Sequence, residues 1–380
     1  MKNETSNIQS QFGIAIDIGT TTVKAYLVEN QYCVEENQKI QVGTKIKAEI
    51  EEKNAQYLYG KDVISRVMYA HYNGNAKLRE GIIFQLQSLI RRFSSEIREN
   101  CIFSSIIITG NSVMVSILEN LSLKGFEVFP FTSPSKFGYI TKISELSPNE
   151  TVYIPPIMDA FLGADALTAG FFALNKAKKT FPAQDIFPFL VVDIGTNGEI
   201  LLFNEDNVFG ASCAAGPAFE GKNLSKNISG STAISYLAKM LKNKIMDKSG
   251  EILQNPKNPN SPLSQEDVRG LQLAKSAIKT GVEVLLLETN TKSADIKSCY
   301  ICGNFGNALS EDDILEIGLL PLDFQGKIEY LGNGAGFGAV DLVFSEENRE
   351  KIKKIATNAK SIELGGNPLF NKKYIENLNF

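Results

Sequence analysis

The pattern Asp-Ile-Gly-Thr occurs twice in the chain, at Asp17–Thr20 and at Asp193–Thr196, each time between two apolar β-branched runs. Each copy reads as a strand, a tight polar turn and a second strand, with a carboxylate leaving the first strand. Gly19 and Gly195 let consecutive N–H groups converge into an anion-binding nest. Thr20, Thr21, Thr22 and Thr196 add hydroxyl donors, and Asn197 completes the second turn. Asp17 and Asp193 repel phosphate, so their expected partner is a divalent cation, Mg2+ held through its waters. A single such turn is ordinary. Its recurrence in equivalent contexts is a repeat signature and points to a clamp with one hairpin on each side of a nucleotide polyphosphate.

Three further segments could carry chemistry. Asp165 lies at the start of a helix of small residues (Gly163, Ala164, Ala166, Ala169, Gly170), where it could accept a proton from a hydroxyl or water attacking a γ-phosphate. The alternative is a charge at a helix N-terminus. In Ser212-Cys-Ala-Ala-Gly-Pro-Ala-Phe-Glu-Gly, Gly216 and Gly221 allow close backbone approach to a ligand, and Glu220 is placed to meet ribose or metal. Gly303, Asn304 and Gly306, in a glycine turn after a buried strand, suit the adenosine end of a nucleotide. Gly332-Asn-Gly-Ala-Gly-Phe-Gly has glycines spaced like a dinucleotide fingerprint without its expected context, and tight helix packing accounts for it better.

The elements that position these groups follow from periodicity. A hairpin covers Gly13–Val28, helical spacing covers Lys61–Tyr69 and Leu78–Ile97, and a strand at Ser105–Ile108 turns into a helix at Val113–Leu118. Phe129–Lys136 is loop, Val152–Ile154 a short strand, and the small-residue helix reaches about Leu174. The polar stretch Asn175–Asp185 is expected to cross between halves. Strands then follow at Phe187–Val192, Glu199–Phe203, Val208–Ala211 and Ile296–Ile301. Ser264 is expected to cap a long helix over Val268–Leu287, and a charged helix covers Glu346–Lys360. The expected architecture is two α/β halves related by internal duplication, 1–184 and 185–380, with a nucleotide cleft between them and with packing of the C-terminal helices back on the first half left open.

A length of 380 residues and 43% hydrophobic content suffice for two cores, and a net charge of −4 argues against nucleic acid or an anionic membrane as the main partner. No leader peptide or spanning segment is evident, so a cytoplasmic location is expected. Five cysteines in so long a chain make no disulfide framework. Cys299 and Cys302, three apart on a strand, are expected in the core. One histidine, His71, excludes a multi-histidine zinc site.

Together these segments resemble the superfamily of acetate and sugar kinases, heat-shock-cognate ATPases and actin. Asp17–Thr22 is similar to its first phosphate motif, Asp193–Glu199 to its second and Gly303–Asn307 to its adenosine motif, while Gly163–Gly170 resembles the helix carrying the catalytic aspartate of sugar kinases. The fold so implied is a pair of actin/hexokinase-like (ribonuclease H-like) domains. A closer resemblance covers nearly the whole chain: the ATPase part of the reductive activators of corrinoid proteins. It rests on Gly60-Lys-Asp-Val-Ile-Ser-Arg, Thr109-Gly-Asn-Ser-Val-Met, Val192-Asp-Ile-Gly-Thr-Asn-Gly-Glu-Ile, Ser212–Gly221, Leu271-Gln-Leu-Ala-Lys-Ser-Ala-Ile, Ile317-Gly-Leu-Leu-Pro and Ile362-Glu-Leu.

That resemblance implies ATP- and Mg2+-dependent reduction of cobalt(II) to cobalt(I) on the corrinoid protein of a methyltransferase system. The family's ferredoxin domain has no counterpart here, so the chain is expected to hold no iron–sulfur cluster and to draw electrons from a separate ferredoxin. The family's segment after the Phe-Glu-Gly motif is much longer than here, with Ser235 where the family has Asp, and whether ATP is hydrolysed stays open. Two alternatives stand beside this reading: a small-molecule kinase with Asp165 as base, and a non-hydrolysing ATP-binding scaffold for corrinoid methyltransferases. Oligomeric state is left open, a homodimer included.

Overall fold

The computed structural model describes residues 8–35, 38–97, 103–146, 151–221, 224–253, 261, 263–303, 305 and 309–380. The first sheet begins with three antiparallel strands, β1 (Ile8–Ile18), β2 (Thr22–Glu35) and β3 (Gln38–Lys53). Two helices follow, α1 (Val63–Asn73) and α2 (Ala76–Glu96). Strand β4 (Ile106–Gly110) then pairs parallel to β1 and leads into α3 (Ser112–Leu118). Strands β5 (Tyr139–Thr141) and β6 (Val152–Ile154) complete the sheet in the order β3-β2-β1-β4-β6-β5. All five residues of β4 are buried, as expected of a strand covered on both faces.

Helix α4 (Ala164–Thr180) leads to the second sheet. It opens with another antiparallel trio, β7 (Phe189–Ile194), β8 (Gly198–Phe203) and β9 (Val208–Cys213). Helices α5 (Gly230–Lys242) and α6 (Gln265–Glu288) precede β10 (Ser298–Cys302), which pairs parallel to β7. Then come α7 (Glu311–Glu316), β11 (Lys327–Gly332), α8 (Gly334–Leu342), α9 (Glu346–Thr357), β12 (Ala359–Ser361) and α10 (Pro368–Glu376). The sheet order is β11-β10-β7-β8-β9-β12. Read from the other edge, β9-β8-β7-β10-β11 repeats β3-β2-β1-β4-β6 strand for strand. The duplication inferred from two short motifs therefore extends to five of the six strands in each sheet, while β5 and β12 lie on opposite edges.

Two compact units divide the chain: the described residues up to Phe172 with Ala335–Thr357, and Ala173–Gly334 with Asn358–Phe380. The first has an aliphatic core under β1, β2 and β4, packed by Leu78, Ile82, Leu86 and Phe93 of α2. The second is built on α6, whose capping box joins Ser264 to Asp267 as the sequence suggested.

Some expected boundaries move. Helix α4 continues six residues past Leu174, because Ala177 keeps its inner face buried while Lys178 and Lys179 face water near the negative end of the helix dipole. The charged helix stops at Thr357, and Ala359–Ser361 instead pairs parallel to β9. In the glycine run of α8, a Cβ on Gly338 would lie 2.0 Å from the carbonyl oxygen of Thr168 in α4. Close helix contact thus explains that glycine. Gly338→Ala must push the two helices apart and is expected to cost about 1–3 kcal/mol, read as a lower urea midpoint; an unchanged midpoint would contradict the contact.

Candidate functional site

The first hairpin connects Ile18 to Val23, which are paired, through Gly19, Thr20, Thr21 and Thr22. Its carbonyls are held from one side. Asn54 Nδ2 donates to Gly19 O at 2.8 Å, an Arg66 guanidinium nitrogen donates to Thr20 O at 2.5 Å, and Asn54 N donates to Thr21 O at 2.8 Å. A trans peptide places each following N–H opposite its carbonyl. The N–H groups of Thr20 and Thr21 are therefore aimed away from Asn54 and Arg66. From another direction Asn111 Nδ2 donates to Thr20 Oγ1 at 3.1 Å, while its Oδ1 caps α3 by accepting from Met114 N at 3.0 Å.

Motif and spacing alone do not single out Asn54 or Arg66. Arg66 alone has a signal, the segment Gly60–Arg66, which carries part of the family likeness; Asn54 has none. Asp62 and Ser65 form the capping box that starts α1, with Ser65 N donating to Asp62 Oδ1 at 2.7 Å. Arg66 folds back over Gly60, where a Cβ would lie 2.8 Å from Arg66 Cγ, and donates to Gly60 O at 3.0 Å.

Asp165 sits in the first turn of α4 and accepts from Ala166 N at 2.8 Å. A Cβ on Gly163 would lie 2.6 Å from Asp165 Oδ1 and 2.5 Å from Asn111 Cα, so the carboxylate and the residue that holds Thr20 crowd the same glycine. One turn on, Thr168 shares a 3.0 Å hydrogen bond with Thr109, which pairs with Asp17 across β1 and β4. Though partly exposed, the Asp165 carboxyl is desolvated by its surroundings and pushed up to about 6, against the lowering effect of backbone N–H donors. Asp17, Gly19–Thr22 and Asp165 thus belong to one neighbourhood.

In the second hairpin Ile194 pairs with Gly198, leaving only Gly195, Thr196 and Asn197 between paired positions. Thr196 Oγ1 donates to Glu220 Oε1 at 2.9 Å, and Gly216 N donates to Thr196 O at 2.7 Å. The Ser212–Gly221 segment therefore backs this turn. Gly216 has φ 79°, which by itself calls for glycine, and an added Cβ there would meet nothing within 4 Å. Gly221 differs from expectation: a Cβ there would lie 2.4 Å from Ile228 O, so that glycine closes its own loop. At Gly303 the space is likewise taken by this chain, with a Cβ falling 2.4 Å from Ile194 O and 2.8 Å from the Phe305 ring. Phe305 is core, edge-on to Tyr330. Asn304 and Gly306 lie outside the described residues.

The cross-strand rows through the two aspartates differ. Glu51, Lys24, Asp17 and Thr109 are aligned in the first sheet, with Lys24 3.3 Å from Glu51. Ser212, Glu199, Asp193 and Cys302 are aligned in the second. Cys299 and Cys302 are buried on β10, and burial pushes the Cys299 thiol up to about 12, which disfavours thiolate chemistry. Among the described residues no three His, Cys, Asp or Glu side chains could together hold a metal ion, and no helix is long and apolar enough to cross a membrane. Mg2+ held mainly by water and phosphate needs only one or two carboxylates.

Two sheets of this order, each opening on an acidic hairpin, define the ASKHA class, the actin- and hexokinase-like fold. Within it, residues 12–176 match the "RACo middle region" and residues 188–226 and 257–380 match the "C-terminal domain of RACo the ASKHA domain". The chain belongs to the RACo family, the reductive activators of corrinoid proteins.

It is 28% identical over 437 aligned positions to the corrinoid activation enzyme RamQ of Eubacterium limosum, covering 97% of this chain and 70% of that one. With a [Co(II) methylated amine-specific corrinoid protein] reductase of Methanosarcina barkeri it shares 22% identity, covering 97% and 77%. A solved reductive activator for corrinoid, iron-sulfur protein aligns with a TM-score of 0.77 at 26% identity over 97% of this chain and 66% of its own length. The chain therefore spans about two thirds of that structure. Residues 227–256, unmatched by the family signatures, include α5, where the Ser235 hydroxyl donates to the Asp313 carboxylate.

The raised Asp165 carboxyl has a stability consequence. Its ordinary value is 3.8, so the folded chain binds that proton more tightly than the unfolded chain; the stabilisation is complete below about pH 4 and lost as pH rises through about 6. Asp165→Asn is expected to remove up to about 3 kcal/mol of this pH dependence, measured by urea unfolding at several pH values. Parallel pH profiles for both proteins would refute it.

Proposed function

We propose that this chain is the nucleotide-dependent part of a corrinoid activator: it binds Mg-ATP and promotes one-electron reduction of a partner corrinoid from cobalt(II) to cobalt(I). One observation carries the reading, the same carboxylate, turn and strand at the same place in two sheets of the same order. Support for the partner's class comes from family membership and from the functions of the two named relatives.

In this reading the backbone N–H groups of Thr20, Thr21, Thr196 and Asn197 and the hydroxyls of Thr20, Thr21 and Thr22 donate to phosphate oxygens, the Thr196 hydroxyl being spent on Glu220, while Gly19 is required by the turn itself, where a Cβ would lie 2.8 Å from Thr22 O, and Gly195 leaves its side of the second turn uncrowded. Asp17 and Asp193 are the residues that would hold Mg2+, through its waters, and the open side of Gly216 would face the nucleotide. Mg2+ would neutralise charge on the phosphates. Asp165, at about 6, is largely ionised at neutral pH and can take a proton from a water attacking the γ-phosphate.

The electron comes from a separate ferredoxin-type donor and ends on cobalt, and the nucleotide supplies only a change in partner affinity. A chain that binds the cobalt(I) partner tenfold better than the cobalt(II) form raises its one-electron potential by about 59 mV.

The experiment mixes the chain with a cobalt(II) corrinoid protein and a reduced ferredoxin, and follows the cobalt(I) absorption with and without Mg-ATP. ATP-dependent appearance of cobalt(I) is expected; the same rate without nucleotide would reject the proposal. A phosphate-release assay in the same mixture tests turnover. Release that rises with pH through about 6 and is lost in Asp165→Asn is the expected result for a base at that position.

A further inference from the structure

Arg66 is fully buried, and the acceptors of its hydrogen bonds are all neutral: Gly60 O, Thr20 O, Gln56 Oε1 and Met114 Sδ. Burial lowers its guanidinium to about 10, with Asp62 acting against that shift, so it stays charged at neutral pH. Keeping a cation there is costly unless something offsets it. Asn54, 1% exposed, is equally enclosed, and its Nδ2 is spent on Gly19 O.

Neither side chain lies on the strands it serves. Both reach the turn from the segment after β3, and both bond its carbonyls. A peptide group whose oxygen is drawn toward a cation is polarised, and its N–H side becomes a better donor to an anion. The sequence around them fits that task. Gly60 leaves room for the arginine stem, and the Asp62–Ser65 capping box fixes the first turn of α1 from which Arg66 projects.

We infer that Asn54 and Arg66 are positioning residues for the first phosphate turn: by holding the Gly19 and Thr20 carbonyls from behind, they aim and polarise the Thr20 and Thr21 N–H groups toward a phosphate group of the nucleotide. This rests on the Mg-ATP reading above and deepens it. Arg66 does not touch phosphate; it acts through the peptide group it bonds.

The test is calorimetric titration of the full chain and of Arg66→Lys, Arg66→Gln and Asn54→Leu with Mg-ATP, Mg-ADP and AMP, each variant checked for folding by circular dichroism. Arg66→Gln is expected to lose roughly 10- to 100-fold in ATP affinity for its charge-assisted contact and Asn54→Leu roughly 3- to 10-fold for its neutral one, each with a smaller loss for AMP. Arg66→Lys, which keeps the charge, should recover most of the arginine's share. If Arg66→Gln does not fold, Asn54→Leu carries the test, since it removes the donor to Gly19 O at similar volume without adding a charge.

Equal losses for ATP and AMP, or unchanged ATP affinity in folded variants, would overturn the positioning role and leave nucleotide binding standing. No ATP binding by the unmodified chain would overturn the nucleotide reading itself.

Discussion

A planar trans amide cannot turn its carbonyl one way without turning its N–H the other, and the first hairpin is arranged around that constraint. Three successive carbonyls, from Gly19 to Thr21, are claimed by Asn54 and Arg66. What the turn presents on its remaining side is thereby decided by groups about thirty to fifty residues downstream. Helix α3 adds a tether through Asn111, and α4 reaches the same place through Gly163 and the Thr109–Thr168 hydrogen bond. These elements of the first unit converge on a few peptide groups of one turn.

Two buried or crowded ionisable groups, one in each unit, are held where their charged forms are disfavoured. Asp165 is one, and Lys275, buried on α6 with its ammonium spent on the carbonyls of Asn377 and Asn379, is the other. The lysine is drawn down to about 7 by burial first and by Lys279 second. It ties the turn after α10 to α6, alongside Ser276 bonding Tyr374 O. Its role is explained within the second unit. The Asp165 carboxyl owes its raised value to desolvation in the crowded turn around Gly163, which the donor Ala166 N only partly offsets.

The hairpins are legible in the sequence because strand, turn and strand are all local, and the capping box of α6 for the same reason. The duplicated sheet around them is legible only as an inference from two motifs. Strand β3 leaves little trace: its outward positions are Lys and Glu, weak strand formers, and its pairing with β2 shifts register twice. Strand β11 and helix α10 are equally faint, since each is short and stabilised by tertiary contacts. Asn54 and Arg66 receive no role from sequence, because a guanidinium bonding a carbonyl 46 positions away leaves no periodic signal. Gly221 and Gly303 look in the sequence like room for ligand, whereas close approach of the chain to itself already demands glycine at both.

The two copies of the hairpin are not equal. One turn has an extra residue, and the aspartate of that copy faces Lys24 across the strand pair, while the aspartate of the other faces Glu199. Lys24 thus stands between Asp17 and Glu51 in a row that alternates in sign, 3.3 Å from Glu51, whereas Asp193 and Glu199 are like charges side by side. Matching positions in the two halves therefore carry different charge patterns, which gives the chain a distinguishable left and right.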